Sequence, residues 1–488
     1  MRRIMSGRTI VIVLVATQLA ACAEFSPDGG MDAVQGGVRR EIGKDVVKIA
    51  NLDDARRAKE QVASLLQQPL SADSAVQIAL LNNRDLQAAY NDLGISEAAY
   101  VQASLPKNPG ISLMRYGGTG VANFEVRLIV NLLDMFTLPI RTKIAAEHYA
   151  HAKHVAVATT LSLAADVRRA HVRAVAAERQ VRFLDQARQT ADASARLVAK
   201  LGEAGQGDQL DQAELAAFYA ELSVRVGQAR LTARREREGL TRRMGLWGGD
   251  TGFRLPDDLP PLPEQPEAMA TVEVEAINRR LDLLMARHDI SALAQSLRLT
   301  EATRYVSMLQ LAGLFNSESA NPLTNTNTDI NRGGVALDFD IPIFDTGEAR
   351  LRAARETYMR ALNRLAARAV NARSEARIAY DAYRGTYDIA RFYESRVLPL
   401  RQVVSREVAL RYSTAVNTGE TMRVDYFKVL ADARARIAAN AASVDARRDF
   451  GLAEVDLQAA LSFGSGDSRA TESNAGGLGS GSSSAMDR

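Results

Sequence analysis

Apolar residues recur along this chain with two different periods, and each period predicts its own kind of structure. Stepping alternately by four and three from Leu163, the chain reads Leu163, Val167, Ala170, Ala174, Ala177, Val181, Leu184, Arg188, Ala191, Ala195 and Val198, apolar at every step but Arg188. A 3.5-residue repeat held for five heptads predicts a helix that packs against a neighbour along its whole length. The same alternation gives Ala369, Ala372, Ala376, Ala379, Tyr383, Thr386, Ala390, Tyr393, Val397, Leu400 and Val404. Small residues on both seams let neighbouring backbones approach closely. A helix from Pro139 to Leu201 would be about 95 Å long at 1.5 Å per residue, far more than a globular core needs. Gly385 and Pro399 are expected to interrupt the second long helix, with Pro399 bending it.

The second period is two. Val335, Leu337, Phe339, Ile341 and Ile343 alternate with Ala336, Asp338, Asp340 and Pro342. One face of such a strand is apolar and the other carries two carboxylates. Phe124, Val126, Leu128 and Val130 alternate likewise with Glu125, Arg127 and Ile129. Segments near Ile111–Tyr116 and Tyr305–Phe315 complete two hairpins with weaker alternation. These runs match the roughly 9–11 residues of a transmembrane β-strand. A half-buried strand of a soluble sheet fits the same pattern. Four strands are too few to close a barrel, and an open edge is not viable in lipid.

The order of elements occurs twice. Arg141-x-Lys143-x-Ala145-x-Glu147-x-Tyr149 matches Arg350-x-Arg352-x-Ala354-x-Glu356-x-Tyr358, and Leu210-Asp211 lines up with Val424-Asp425. Each half reads helix, strand, strand, very long helix, Gly-containing turn, shorter helix. The halves span 70–247 and 268–463. The Gly- and Pro-rich stretch 248–267 reads as a linker, and the Gly/Ser-rich 464–488 as a disordered tail.

Composition narrows the function. In 488 residues, Lys+Arg number 61 against Asp+Glu 58, so bulk positive charge does not draw this chain to nucleic acid. The hydrophobic fraction is 47% with only 6% aromatics, which favours long Ala-rich helices. Residues 1–21 read as an export signal, with Arg2, Arg3 and Arg8 ahead of a short apolar run. The signal ends in Leu19-Ala20-Ala21-Cys22, which resembles a bacterial lipobox, and Cys22 is the only cysteine. Acylation there would anchor a lipidated segment, 22–69, and Ala23 in place of Asp permits the outer membrane. No later stretch is apolar enough for a spanning helix. No P-loop, Gly-x-Ser-x-Gly, His-Glu-x-x-His or Rossmann fingerprint is present, so neither catalysis nor a cofactor is expected.

Several segments together resemble the TolC-like outer-membrane efflux family. Leu70 to Leu86, with Asn82-Asn83, resembles the family's leading helix, although Arg84 stands where the family usually has Pro. Gln102 to Pro109 resembles its approach to the first strand, and Ala276 to Leu283 its second leading helix. Leu410-Arg411-Tyr412, followed by Gly419 and Asp425, resembles the second hairpin tip. The resemblance implies a mainly α, internally duplicated fold with a membrane β-barrel portion. In it a homotrimer closes a twelve-stranded β-barrel and continues as an α-barrel tunnel of long coiled-coil helices. It also implies a periplasmic adaptor and a proton-driven inner-membrane pump as partners. The chain would then be a lipid-anchored exit duct of a tripartite efflux system, passing substrates outward from the periplasm. A duct for type I protein secretion and a lipid-tethered structural coiled coil are the rival readings.

Residues for such roles follow. Gly202, Gly205, Gly207 and Gly419 lie where the chain must reverse between helices, and the resemblance makes these tips the adaptor-docking points. Asp425 and Asp432, seven apart, share a helix face; with Asp211 they are candidates for a carboxylate gate. Asp338, Asp340, Glu125 and Arg127 would face a barrel lumen if their apolar neighbours face lipid. His148, His151 and His154 cannot all ligate one ion from one helix, because the outer two point about 240° apart. They read as surface histidines, and no metal is expected.

Overall fold

The computed structural model describes residues 25–118, 121–203, 209–268, 271–320, 330–418 and 422–464. The signal segment, Cys22 and the Gly/Ser-rich tail from residue 465 lie outside them. The chain divides into two compact units, and each unit draws on both halves of the sequence. One gathers the segment up to Val34, Tyr90–Ala156 and Leu283–Arg368; the other gathers Gln35–Ala89, Val157–Asp282 and the chain from Ala369 onward.

The elements run α1 (Met31–Ile42), α2 (Leu52–Leu65), α3 (Ala72–Asn82), α4 (Arg84–Ala103), β1 (Gly110–Gly118), β2 (Val121–Asn131), α5 (Leu132–Glu203) and α6 (Gln209–Met244). They continue with α7 (Val272–Arg279), α8 (Leu281–Ala302), β3 (Leu309–Ala320), β4 (Ile330–Phe339), α9 (Glu348–Phe392), a π-turn at Tyr393–Val397, α10 (Leu398–Thr418) and α11 (Met422–Ser462). Among the described residues no helix is long and apolar enough to cross a membrane.

In the first unit the four strands form one antiparallel sheet in the order β1-β2-β3-β4. The two hairpins join where β2 pairs with β3. The strands are shifted from the alternating runs: β3 begins at Leu309 rather than Tyr305 and runs on to Ala320, and β4 begins at Ile330. The last ends at Phe339, before Pro342, whose missing N–H cannot serve a ladder. Beneath the sheet, Tyr100 of α4 stacks on Tyr149 of α5 with ring centroids 5.7 Å apart. The Ser26 backbone N–H donates to Glu97 at 2.8 Å and ties the N-terminal segment to α4.

Helix α5 holds 72 residues and starts at Leu132, seven residues before the expected Pro139. Asn131 explains the earlier start, since its Oδ1 accepts from the Asp134 N–H at 3.1 Å. Pro139 therefore lies inside the helix and removes one backbone donor there. The segment expected to be lipidated, 22–69, contains α1 and α2; Asn51 caps α2 by accepting from the Asp54 N–H.

The second unit is built of helices. Each leading helix divides in two without a proline. Asn83 and Arg280 both end a helix in extended backbone (φ −70°, ψ 121° and φ −60°, ψ 124°), and each N–H still bonds the carbonyl four residues back. Side chains stabilise both breaks. Asn82 donates to the Gly245 carbonyl at 2.6 Å and Asn83 to the Arg243 carbonyl at 3.0 Å, capping the C-terminal end of α6. Gly245 adopts φ +70° there, with the Asn82 carbonyl where a Cβ would stand. Arg280, only 1% exposed, donates to Asp282 and Glu375, both at 2.7 Å. Burial disfavours its charge, but the hydrogen bonds and attraction of these carboxylates outweigh that and raise its pKa.

The Pro-rich linker lies against the helices. Tyr387 donates to the Glu264 carbonyl at 2.8 Å, and Arg447 donates to the carbonyls of Leu259 and Pro260 at 2.8 and 2.9 Å. Leu259 packs into a cluster with Val175, Ala176 and Val444. On α5, Val167, Ala170, Ala174, Leu184 and Ala191 are buried, as the seam requires.

Two outcomes follow. Replacing Arg280 with Met removes the buried charge that Asp282 and Glu375 share and should lower unfolding stability by about 3 kcal/mol, measured by chemical denaturation of the solubilised protein. His171 is 5% exposed, and a 2.7 Å hydrogen bond joins its Nε2 to the Leu70 carbonyl. Burial holds its pKa below the usual value, although the bond to Leu70 acts the other way. The unfolded chain thus takes up this proton near pH 6.5 while the folded chain resists it. Stability from this site should be complete above about pH 6.5 and fall as pH drops below it. Melting curves between pH 7.5 and 5 should show that decline, and His171→Gln should make it shallower, with His151 and His154 supplying the remainder.

Candidate channel wall and helical tips

Residues directly opposite one another in an antiparallel pair share a face of the sheet. Leu113 pairs with Val126 and Val126 with Phe315; Leu311 pairs with Leu337 and Leu309 with Phe339. One face is thus apolar across all four strands until a polar row containing Arg115, Ser317 and Asn331. The other face carries Ser112, Asn123, Glu125, Arg127, Gln310, Asn316, Glu318, Arg332 and Asp338, interspersed with Met114, Tyr116, Ile129 and Leu314. Among the described residues nothing covers the apolar face: Val335 is 78% exposed and Ile111 69%. Strands β1 and β4 are the sheet's outer members, each with one bare edge among the described residues.

On the polar face Arg127 lies 3.6 Å from Glu125, and Arg332 lies 3.4 Å from Glu318. The sheet therefore places Glu125, Arg127 and Asp338 on one side, as the alternation predicts. It adds Glu318 and Arg332, which the weak pattern of β3 and the glycines before Val335 conceal in the sequence. Asp340 falls just past β4 and accepts from Ser307 Oγ at 3.0 Å.

In the second unit the second long helix departs from its expected course. Gly385 sits within α9 without breaking it. The irregularity is the π-turn immediately before Pro399, where the Leu398 N–H bonds the Tyr393 carbonyl five residues back. A π-turn inserts one extra residue into the helix and rotates everything beyond it. The sequence seam accordingly ends at Val397. Leu400 and Val404, expected inside, are 63% and 43% exposed, while Arg401, Ser405 and Val408 take the less exposed positions.

That rotation brings Ser405 Oγ to 2.5 Å from Asp432 Oδ2 on α11. The other carboxylate oxygen of Asp432 is buried without a hydrogen-bond partner, and so is Asp211 Oδ1. Nearby, a cavity of about 640 Å³ is lined by Phe183, Leu197, Phe218, Leu398, Leu430 and Ile437. Of the remaining gate and tip candidates, Asp425 lies in α11 and Gly202 in α5, but the side-chain surroundings of both are outside the described residues. Gly205, Gly207 and Gly419 are also outside them.

The histidines are not scattered on the surface. His154 of α5 stacks on His288 of α8 with ring centroids 5.3 Å apart, and His151 Nε2 lies 3.6 Å from Asp289. His288 Nδ1 donates to Glu147 at 2.7 Å, and Ser291 donates to the same carboxylate at 2.8 Å. The bond from His288 holds the Glu147 carboxyl below its usual range. Burial lowers the His151 and His154 pKa values; at His151 the Asp289 carboxylate opposes this, while neighbouring basic groups reinforce it at both. His288 is remote in sequence, so spacing alone could not associate it with the other three. Among the described residues no group of three His, Cys, Asp or Glu side chains is placed to hold a metal ion.

No family model and no curated protein matches this chain. Solved structures do. A structure of CusC, described in terms of transmembrane channel formation, matches at TM-score 0.65 and 18% identity over 83% of this chain and 92% of that one. The outer-membrane channel OprN matches at TM-score 0.67 and 19% identity, again over 83% and 92%. The open state of the Neisseria gonorrhoeae MtrE outer membrane channel matches at TM-score 0.62 and 19% identity over 80% and 88%. The fold is the one these channels share.

The π-turn generates a prediction. Deleting Ser395 removes the surplus residue and leaves Ser405 opposite Asp432, but it returns Pro399 to a regular helix, so helicity should hold while the melting temperature falls. Ser405→Ala leaves Asp432 unbonded and should cost about 1–2 kcal/mol. Circular dichroism melts of both variants measure this.

Proposed function

We propose that this chain is one subunit of an outer-membrane exit channel of the TolC-like type. Three copies pair β4 of each with β1 of the next, closing a twelve-stranded barrel in which every ladder bond is made. The apolar face then meets lipid, and Glu125, Arg127, Asp338 and Asp340 face or border the aqueous lumen. The observation that carries this reading is the sheet itself, apolar on one face, polar on the other and bare at both edges. In hydrocarbon, bare edges cost several kcal/mol per unsatisfied group, so closure by sister chains is the stable solution.

The long helices of three copies continue the barrel as a tunnel through the periplasm. Acylation of Cys22 anchors each chain at the membrane surface. The tips at Gly202, Gly205, Gly207 and Gly419 dock a periplasmic adaptor, which couples the duct to an inner-membrane pump. The chain has no catalytic role, so the pump supplies the energy. Asp211, Asp425 and Asp432 form the gate near the tips. Among them Asp432 is held by Ser405, and Asp211 keeps one oxygen buried and unbonded.

Cysteines placed singly in the two edge strands test closure. A chain carrying Ser112→Cys and a second cysteine at Gly334 or Ala336 should form a disulfide-linked ladder ending at three subunits on a non-reducing gel. Ladders that stop at two, or no crosslink in any pairing, would count against the barrel. In planar bilayers, Asp425→Ala with Asp432→Ala should raise resting conductance, and an unchanged trace removes these residues from the gate.

A further inference from the structure

The polar face of the sheet carries five charged residues among the described ones: Glu125, Arg127, Glu318, Arg332 and Asp338. Four of them neutralise one another in pairs, at 3.6 Å for Glu125–Arg127 and 3.4 Å for Glu318–Arg332. Among the described residues Asp338 has no ionic partner. It pairs in register with Gln310, and the next residue across is Asn131, so its row of the sheet is otherwise uncharged. The nearest cation on that face, Arg127, lies two rows away, about 14 Å along the strands. That exceeds the screening length of roughly 10 Å at 0.1 M salt. Cations near the base of the sheet are engaged elsewhere: Lys107 with Asp134 at 2.9 Å, Arg350 with Asp345 at 3.7 Å, and Arg304 over the Tyr305 ring and on the Thr346 carbonyl. Asp340, just beyond the strand, adds charge of the same sign.

We infer that Asp338 is the residue that makes the barrel selective by charge, drawing cations toward the periplasmic end of its lumen. The inference rests on the twelve-stranded channel proposed above. Twelve strands about 4.8 Å apart and tilted about 40° enclose a backbone radius of roughly 12 Å. Three Asp338 carboxylates projecting into that space leave no point of the cross-section much more than a screening length from a negative charge. The preference is strongest in dilute salt, where the screening length grows to about 30 Å, and fades as salt rises.

Thiol chemistry from the external side reads this field whether the periplasmic gate is open or shut. Gln310→Cys, directly opposite Asp338, is treated in proteoliposomes at 10 mM salt with a cationic and an anionic methanethiosulfonate. The parent chain, with its one native cysteine, supplies the background. Relative to a free thiol, the cationic reagent should react roughly fivefold faster than the anionic one. Asp338→Asn should bring that ratio close to one, and Asp338→Lys should reverse it. Asn316→Cys, between the neutralised pairs and about 20 Å along the strands from Asp338, should show a clearly smaller ratio than Gln310→Cys and a smaller response to Asp338→Asn. A ratio at Gln310→Cys that Asp338→Asn does not move overturns the inference. Leu311→Cys, on the apolar face, separates this from failure of the channel itself. If Leu311→Cys reacts as readily as Gln310→Cys, the apolar face is wet and the barrel is wrong. If it is protected while the ratio stays fixed, only the role of Asp338 falls.

Discussion

A β-sheet with one apolar and one polar face, and no layer of the described residues on the apolar side, must find its second solvent outside itself. That constraint governs the rest of this molecule. Burying an exposed Val, Leu or Phe side chain contributes about 1.5–3 kcal/mol, and a dozen such side chains stand on one surface here. Water is a poor neighbour for that surface. Lipid suits it, but lipid forbids the bare edges of β1 and β4. Apolar face and open edge therefore point to the same answer, closure by further copies. The polar face then acquires an inside.

The helical unit meets a different constraint. Its helices pack through alanines, so the seams are narrow and small errors of register matter. The π-turn before Pro399 is one such adjustment. Proline cannot donate to the carbonyl four residues back, and adding a residue to the turn accommodates that loss. As a result a serine replaces a valine on the inner side of α10, and Asp432 gains a partner it would otherwise lack. The linker follows similar logic. Its prolines keep it out of a helix, while Tyr387 and Arg447 satisfy its carbonyls. A segment that looks like a spacer in the sequence is thus part of the packed body.

Much of the architecture was legible before the structure. The 3.5-residue seams, the duplicated order of elements and the alternation of β2 and β4 are local properties, written in consecutive residues. Strand limits were less legible, because glycines at 333 and 334 and serines at 317 and 319 blur the period of two. The breaks after Asn82 and before Leu281 were not legible as breaks. Their usual marker, proline, is absent, and what stabilises them is an asparagine reaching α6 in one case and a buried arginine reaching α9 in the other. The histidine group was legible only in part, since His288 lies more than a hundred residues from the other three.

The sequence by itself determined which residues form long helices, which form two-faced strands, and that the order occurs twice. Periodicity suffices for this because a side chain's direction depends only on its own element's repeat. The tertiary structure alone decided which strands pair, which charges neutralise each other and which side of α10 faces inward. Those outcomes depend on distances between segments far apart in the chain, and on a single extra residue in one turn. Period and composition carry no record of either.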